Sequence, residues 1–557
     1  MRKVFTVVVL ALAMMVLSLS LAVAQGGQQE VEEVLGQTVE IRGLTASPDV
    51  KVDYLSTPEL RAKILQDFEE ENPEEEVQDA QEIMVMLGFI EPDLDLLQLY
   101  IDLYTEQIAG FYDPEDDSLY LISEEKESMS AMDRYILAHE LTHYLQDQNF
   151  DLMRPPFDDP DDAAEKTDDD ALFAATCLVE GDAMITSDIW LGENLGATDL
   201  LELEFGDEDY STEVFDGAPE YIQDALLFPY QEGRSFAEYI YEEGGFDALD
   251  KAYGNPPSTT EQIYHPEKYL KGEGAVEVDI EDLSGKLGVG WELDYDNVLG
   301  EFDVYELFKP YLSGRDTRRV AEGWGGNRYH YYRGGEGGKL LVQVYAWDSE
   351  KDAQEFAAAY MGYVQERFRR EVGKESPIGA WTVWRTDDYR LALKRDGVKT
   401  YLVQATEGEP FQVAVGALGE EGDVIEEGTL EEETVEEEAE ERKDFSWLVV
   451  GGVVGLLILG IILIAVMLVM YRRPPAPPAQ SPAGPHGPYV YPPGGGTGGY
   501  GETGAGGSAA GMAGSGQVPL PPPKPPPPPP PPSAPPAPPG SASPGPGTTG
   551  QPPAVSE

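Results

Sequence analysis

His139, Glu140 and His143 occur in the order His-Glu-Leu-Thr-His, with the two imidazoles four residues apart. On a helix that spacing puts both rings on one face, one turn apart, so both reach a single cation. Glu140 projects about 100° round the same helix, within reach of a water on that cation. Two neutral imidazoles beside a carboxylate base are the groups that metal-assisted hydrolysis needs. The chain has only five histidines, at 139, 143, 265, 330 and 486, so the pairing does not follow from a His-rich composition.

The flanking residues predict the helix this chemistry requires. Asp133 can cap it, and 134–147 contains neither Pro nor Gly. Ile136, Leu137, Leu141, Tyr144 and Leu145 give a broad apolar face that predicts burial. A second apolar stretch, Ala171 to Leu191, carries Glu180 in its middle. An ionised carboxylate on a buried helix is costly unless it is paired or ligating, so Glu180 is the expected third ligand. Asp182 and Asp188 on the same stretch are expected to hold the far nitrogens of His139 or His143. Asn255 to Tyr269 reads as a loop that places His265 beside Tyr264. A donor aimed at a developing oxyanion is worth roughly 3 kcal/mol, and His265, with Tyr264 as substitute, is the expected donor.

The motif at 139–143, with Glu180 on a following helix, resembles the gluzincin metallopeptidases of the thermolysin-like clan over roughly residues 100–270. Gly110-Phe-Tyr-Asp-Pro114, Val179-Glu-Gly-Asp-Ala183 and Ser258 to Pro266 also resemble segments of uncharacterised exported bacterial proteins that carry this zinc motif. The resemblance implies Zn²⁺ on His139, His143 and Glu180, with Glu140 as general base. It also implies that the strand before the zinc helix, here in a hairpin over 110–122, pairs with an extended peptide or protein substrate. Two features depart from the family. The stretch between His143 and Glu180 is longer than in thermolysin-like enzymes. Met184 stands where the family often carries Asp, so the residues behind the ligands must be arranged differently.

Composition bounds the remainder. The formal net charge is −67, carried almost wholly by 25–445, which excludes nucleic acid as a partner because phosphate binding needs Lys and Arg. Cys177 is the single cysteine, so no intramolecular disulfide can form. Residues 1–24 read as a secretory signal peptide and 25–52 as a linker. Residues 53–275 form the expected metallopeptidase domain, with helix from Asp53 to Phe89 and from Leu94 to Gln107. Residues 276–420 form an expected accessory α+β domain: a helix over 349–370 and antiparallel strands at 328–332, 339–347, 381–386, 390–394, 400–404 and 412–416. An acidic stalk follows over 421–446. The apolar run 447–470 is long enough to span a bilayer, and Arg472-Arg473 after it favours the cytoplasmic side. The Pro- and Gly-rich tail 471–557 is expected to be disordered, with no cytoplasmic partner that composition can name.

The fold class expected is therefore α+β, on a membrane-anchored, extracytoplasmic zinc peptidase. Asp158, Asp159, Asp161, Asp162 and Asp168 to Asp170 form an acidic loop able to take Ca²⁺. That loop lacks the EF-hand ligand pattern, and a solvated charged loop is the simpler reading. The alternative function is a non-catalytic cell-surface binding protein with a structural or degenerate zinc site. A structural site is closed by four protein ligands and has no use for a carboxylate beside its first His, so Glu140 favours hydrolysis.

Overall fold

The computed structural model describes residues 27–425, apart from 48–49, 57, 60, 64, 67–73, 108–109, 115–117, 123–128, 159–167, 206–211, 370–371 and 407. The expected signal peptide, membrane span and Pro-rich tail lie outside the described residues, as does the stalk from 426. Among the described residues no helix is long and apolar enough to cross a membrane.

The motif lies on helix α4 (Ala131–Phe150), where every residue from Tyr135 to Gln146 is buried. Ser130, not Asp133, caps this helix. The Ser130 hydroxyl accepts from Asp133 N at 3.1 Å and the Asp133 carboxylate accepts from Ser130 N at 2.8 Å, a reciprocal capping box. Helix α5 (Asp169–Asn194) carries Glu180 and packs along helix α6 (Glu220–Gly244). The crossing is backbone-close: a Cβ on Gly181 would stand 2.1 Å from the carbonyl oxygen of Gly233. Only paired glycines permit that approach.

The expected linker is instead helix α1 (Gly27–Arg42), with Val31 and Val34 in the core beside α4. The expected helix from Asp53 is split. Lys51-Val-Asp-Tyr-Leu55 alternates polar and apolar residues and forms strand β1 (Lys51–Leu55), followed by α2 (Glu74–Leu87) and α3 (Leu96–Gln107). The hairpin forms as expected, from β2 (Gly110–Asp113) and β3 (Ser118–Ile122). With β1 parallel to β3 the strand order is β1-β3-β2, so among the described residues β2 has one strand neighbour.

The second half is an antiparallel seven-stranded sheet. Its strands are β4 (Glu292–Asn297), β5 (Trp324–Arg333), β6 (Lys339–Trp347), β7 (Gly373–Lys374), β8 (Thr382–Arg385), β9 (Arg390–Asp396) and β10 (Lys399–Ala405), in the order β4-β5-β6-β10-β9-β8-β7. Alternate residues of β6 serve opposite faces. Leu341, Tyr345 and Trp347 meet Phe356 and Val364 of the helix over Glu350–Phe368. Leu340, Val342 and Val344 meet Phe411, Ala414 and Val415. Those last three stand on a helix, Gly408–Ala417, where a strand was expected over 412–416. Their i, i+3, i+4 spacing covers the sheet, whereas a period of two would not bring all three to it.

The chain is thus α+β, and its two halves share one core. Met84, Leu87 and Phe89 belong to the same apolar cluster as Tyr331, Tyr345 and Tyr363. The Tyr331 hydroxyl donates to Glu82 at 2.6 Å, and that of Tyr363 to the Leu87 carbonyl at 2.8 Å.

Candidate metal centre

His139 and His143 meet Glu180 across the α4–α5 interface, as their helical positions require. His139 Nε2 lies 3.0 Å from His143 Nε2 and 3.1 Å from Glu180 Oε2, and His143 Nε2 lies 3.5 Å from the same oxygen. Three donors held at ~2.1 Å from one Zn²⁺ in tetrahedral directions stand ~3.4 Å from one another, so the triangle fits. The donor chemistry fits as well: two imidazoles and one carboxylate, all buried, which among the described residues leaves a fourth direction without a protein donor.

The charges ask for a cation. Burial pushes the Glu180 carboxyl upward, but His143 and His139 outweigh it and hold it below the usual carboxylate range. Burial pulls the His143 imidazole down, while Glu180, Glu140 and Gln146 raise it more, to about 9. Burial dominates at His139 and lowers it, with His143 adding to the effect. Without a metal the triad therefore keeps a proton on His143, where a cation would neutralise Glu180 instead.

Glu140 is buried one residue beyond His139, and its Oε2 accepts from the backbone N–H of Tyr112 at 3.2 Å. Tyr112 is on β2, so the carboxylate sits at the outer strand of the small sheet as the described residues form it. Burial pushes the Glu140 carboxyl up to about 8, with the nearby Glu180 charge adding to the rise and His143 opposing it.

Gln146, one turn along α4, is the residue behind His143. Its Oε1 lies 2.8 Å from His143 Nδ1, while its Nε2 donates to the Val179 carbonyl at 2.9 Å and to Asp182 Oδ2 at 3.1 Å. The two acids expected behind the imidazoles touch neither ring. Asp182 reaches His143 only through Gln146, and its other partners are Arg42 and Tyr253. Asp188 accepts from the Tyr135 hydroxyl at 3.0 Å and from Arg234 at 2.9 Å. Gln146 escaped a sequence reading that looked only for acids behind the ligands, although its i+3 position relative to His143 was the available signal.

His265 and Tyr264 make no hydrogen bond or ring contact with His139, Glu140, His143 or Glu180. His265 Nε2 pairs with Glu301 Oε1 at 3.1 Å, and the Tyr264 ring packs on Phe228. The aromatic beside the cluster is Tyr230 on α6, its ring centroid 6.1 Å from that of His139. Of the acidic loop, Asp159, Asp161 and Asp162 lie outside the described residues. Asp168 pairs with Arg328 at 2.9 Å, and Asp170 accepts from Thr260.

One family model matches residues 291–413, a domain of unknown function (DUF8575), which covers the seven-stranded sheet and not the metal centre. No curated protein and no solved structure matches the chain.

Proposed function

We propose that this protein is a zinc-dependent peptide hydrolase. The reading rests on the convergence of His139, His143 and Glu180 with Glu140 placed beside the outer strand of the small sheet. A bound Zn²⁺ would supply a Lewis acid and an activated water. The residues of the chain do the rest. Strand β2, which has one strand neighbour among the described residues, offers its other side to an extended peptide, which a strand-like substrate matches by backbone hydrogen bonding. Glu140 accepts the proton of the attacking water on a carboxylate oxygen and delivers it to the leaving nitrogen. The Tyr112 N–H holds one carboxylate oxygen of Glu140 at 3.2 Å, which fixes the direction in which the base faces.

The test is metal content followed by a peptide library. About one zinc per wild-type chain, lost in His139→Ala, together with cleavage that chelator abolishes, is the expected result. A tightly held zinc with no cleavage of any library peptide would refute the peptidase reading.

A further inference from the structure

We propose that helix α1 is part of the metal centre and that its last residue, Arg42, is a positioning residue for His143, acting through Asp182 and Gln146. The inference rests on the metal site proposed above. Arg42 is fully buried, its side chain 0% exposed. Its Nε donates to Asp182 Oδ1 at 2.8 Å and its Nη2 to Asp182 Oδ2 at 3.1 Å, a two-pronged grip on one carboxylate. The same Nη2 lies 2.7 Å from Asp250 Oδ1, and the guanidinium covers the Phe246 ring at 4.7 Å. A buried guanidinium costs several kcal/mol unless it is compensated in this way.

The grip sets a tautomer at the metal site. Gln146 faces two groups that only accept, the Val179 carbonyl and Asp182 Oδ2. Only the NH₂ end of its amide can serve both, so Oε1 must point the other way, toward His143 Nδ1. The neutral, metal-binding form of His143 then carries its hydrogen on Nδ1 and leaves the Nε2 lone pair bare. That is the nitrogen facing His139 and Glu180. A partner on the far nitrogen that fixes a ligating imidazole commonly changes metal affinity 10–100-fold, an order of magnitude for what Arg42 supports here. Asp182 accepts four hydrogen bonds: two from Arg42, one from Gln146 and one from the Tyr253 hydroxyl at 2.9 Å. Without Arg42 the carboxylate can rotate, the amide can turn over, and the tautomer is no longer held. Removal of the chain through Arg42 would therefore dismantle the site rather than unmask it, so α1 is not a removable inhibitory segment.

The experiment titrates Co²⁺ into the full-length protein, with a chelator as competitor, and records the visible spectrum. Arg42→Ala is expected to weaken binding by about 10–100-fold and to alter the cobalt bands, with partial recovery in millimolar guanidinium. Arg42→Lys, which cannot reproduce the two-pronged grip, should fall between. Val34→Ala on the same helix removes packing only, and should lower the melting temperature while leaving affinity and spectrum intact. If Arg42→Ala does not fold, Tyr253→Phe, which deletes a single hydrogen bond to Asp182, should still weaken binding several-fold. Wild-type affinity in Arg42→Ala overturns the proposal. So does an affinity loss in Val34→Ala as large as that in Arg42→Ala, or wild-type affinity in Tyr253→Phe when Arg42→Ala fails to fold. A wild type that takes up no Co²⁺ would instead bring down the metal reading and this inference with it.

Discussion

At the scale of single residues, the proposed ligands and the proposed base separate cleanly by what each change should cost. Glu140→Gln keeps the shape and the Tyr112 contact but cannot carry a proton. It should retain Zn²⁺ within a few-fold of wild type and lose roughly 10²–10⁴ in hydrolysis. Unchanged kcat would show that Glu140 is not the base. Glu180→Gln removes the anionic member of the proposed ligand set, and its first effect should be on metal content. His139, His143 and Glu140 were legible because helical periodicity converts a spacing in sequence into a spacing in space. Glu180 was legible because a carboxylate within an apolar run needs a reason. Arg42 was not legible. It is the only cation between 27 and 50, but its partner Asp182 is 140 positions away, and nothing local announces that pairing.

At the scale of elements, Glu180 is placed by how closely two helices approach. Gly181 follows Glu180 directly and lies against the Gly233 backbone, and Gly233 in turn lies against Cys177, where a Cβ would meet the Cys177 carbonyl at 2.5 Å. A methyl group at 181 cannot be absorbed by a flexible side chain, because the obstacle is main chain. Gly181→Ala should force α5 and α6 apart, costing about 1–3 kcal/mol or more, with Glu180 displaced from the two imidazoles. The measurement is a thermal melt with a Zn²⁺ titration on the same sample: both should suffer, whereas Gly192→Ala, at an exposed helical position with open space, should leave the titration unchanged and the melt unchanged or slightly higher. Sequence periodicity found α4, α5 and the 110–122 hairpin because each is locally self-consistent. It missed α1 and took 412–416 for a strand, because in both cases the deciding contacts come from elsewhere. α1 is an acidic segment held by α4 and α5, and Gly408–Ala417 is a short apolar stretch whose period the sheet selects.

At the scale of the whole molecule, the sheet half steadies the metal half at the start of α5, the helix that carries Glu180. Arg328 of β5 pairs with Asp168 and Asn297 at the end of β4 accepts from Asp169 N at 3.0 Å, while Thr260, from the metal half itself, holds Asp170. Beside this seam lies a cavity of about 40 Å³ lined by Asp169, Asp170 and Asp303 among apolar residues. Asp170 Oδ1 accepts from the Thr260 hydroxyl at 2.6 Å and from its N–H at 3.0 Å, while Oδ2 is buried without a hydrogen-bond partner. Burial pushes the Asp170 carboxyl up to about 8, against the pull of the Thr260 bonds and with Asp303 and Glu261 adding to the rise. The folded state therefore holds a proton that the unfolded chain releases near pH 4. Where the folded form binds more protons than the unfolded, stability falls as pH rises. The contribution of Asp170 is thus fully present below about pH 4, declines through neutrality, and is lost above about pH 8. Asp170→Asn keeps the Thr260 contacts and removes the ionisation. The melting temperature of this variant should fall less steeply between pH 5 and 9 than that of the wild type, by a margin that closes at the acid end. Asp303, raised to about 7 by burial despite bonds from Tyr221 and Gly300, leaves a residual slope of the same sign. Parallel curves for variant and wild type would show that the seam does not hold its proton, and that the alkaline sensitivity of the chain arises elsewhere.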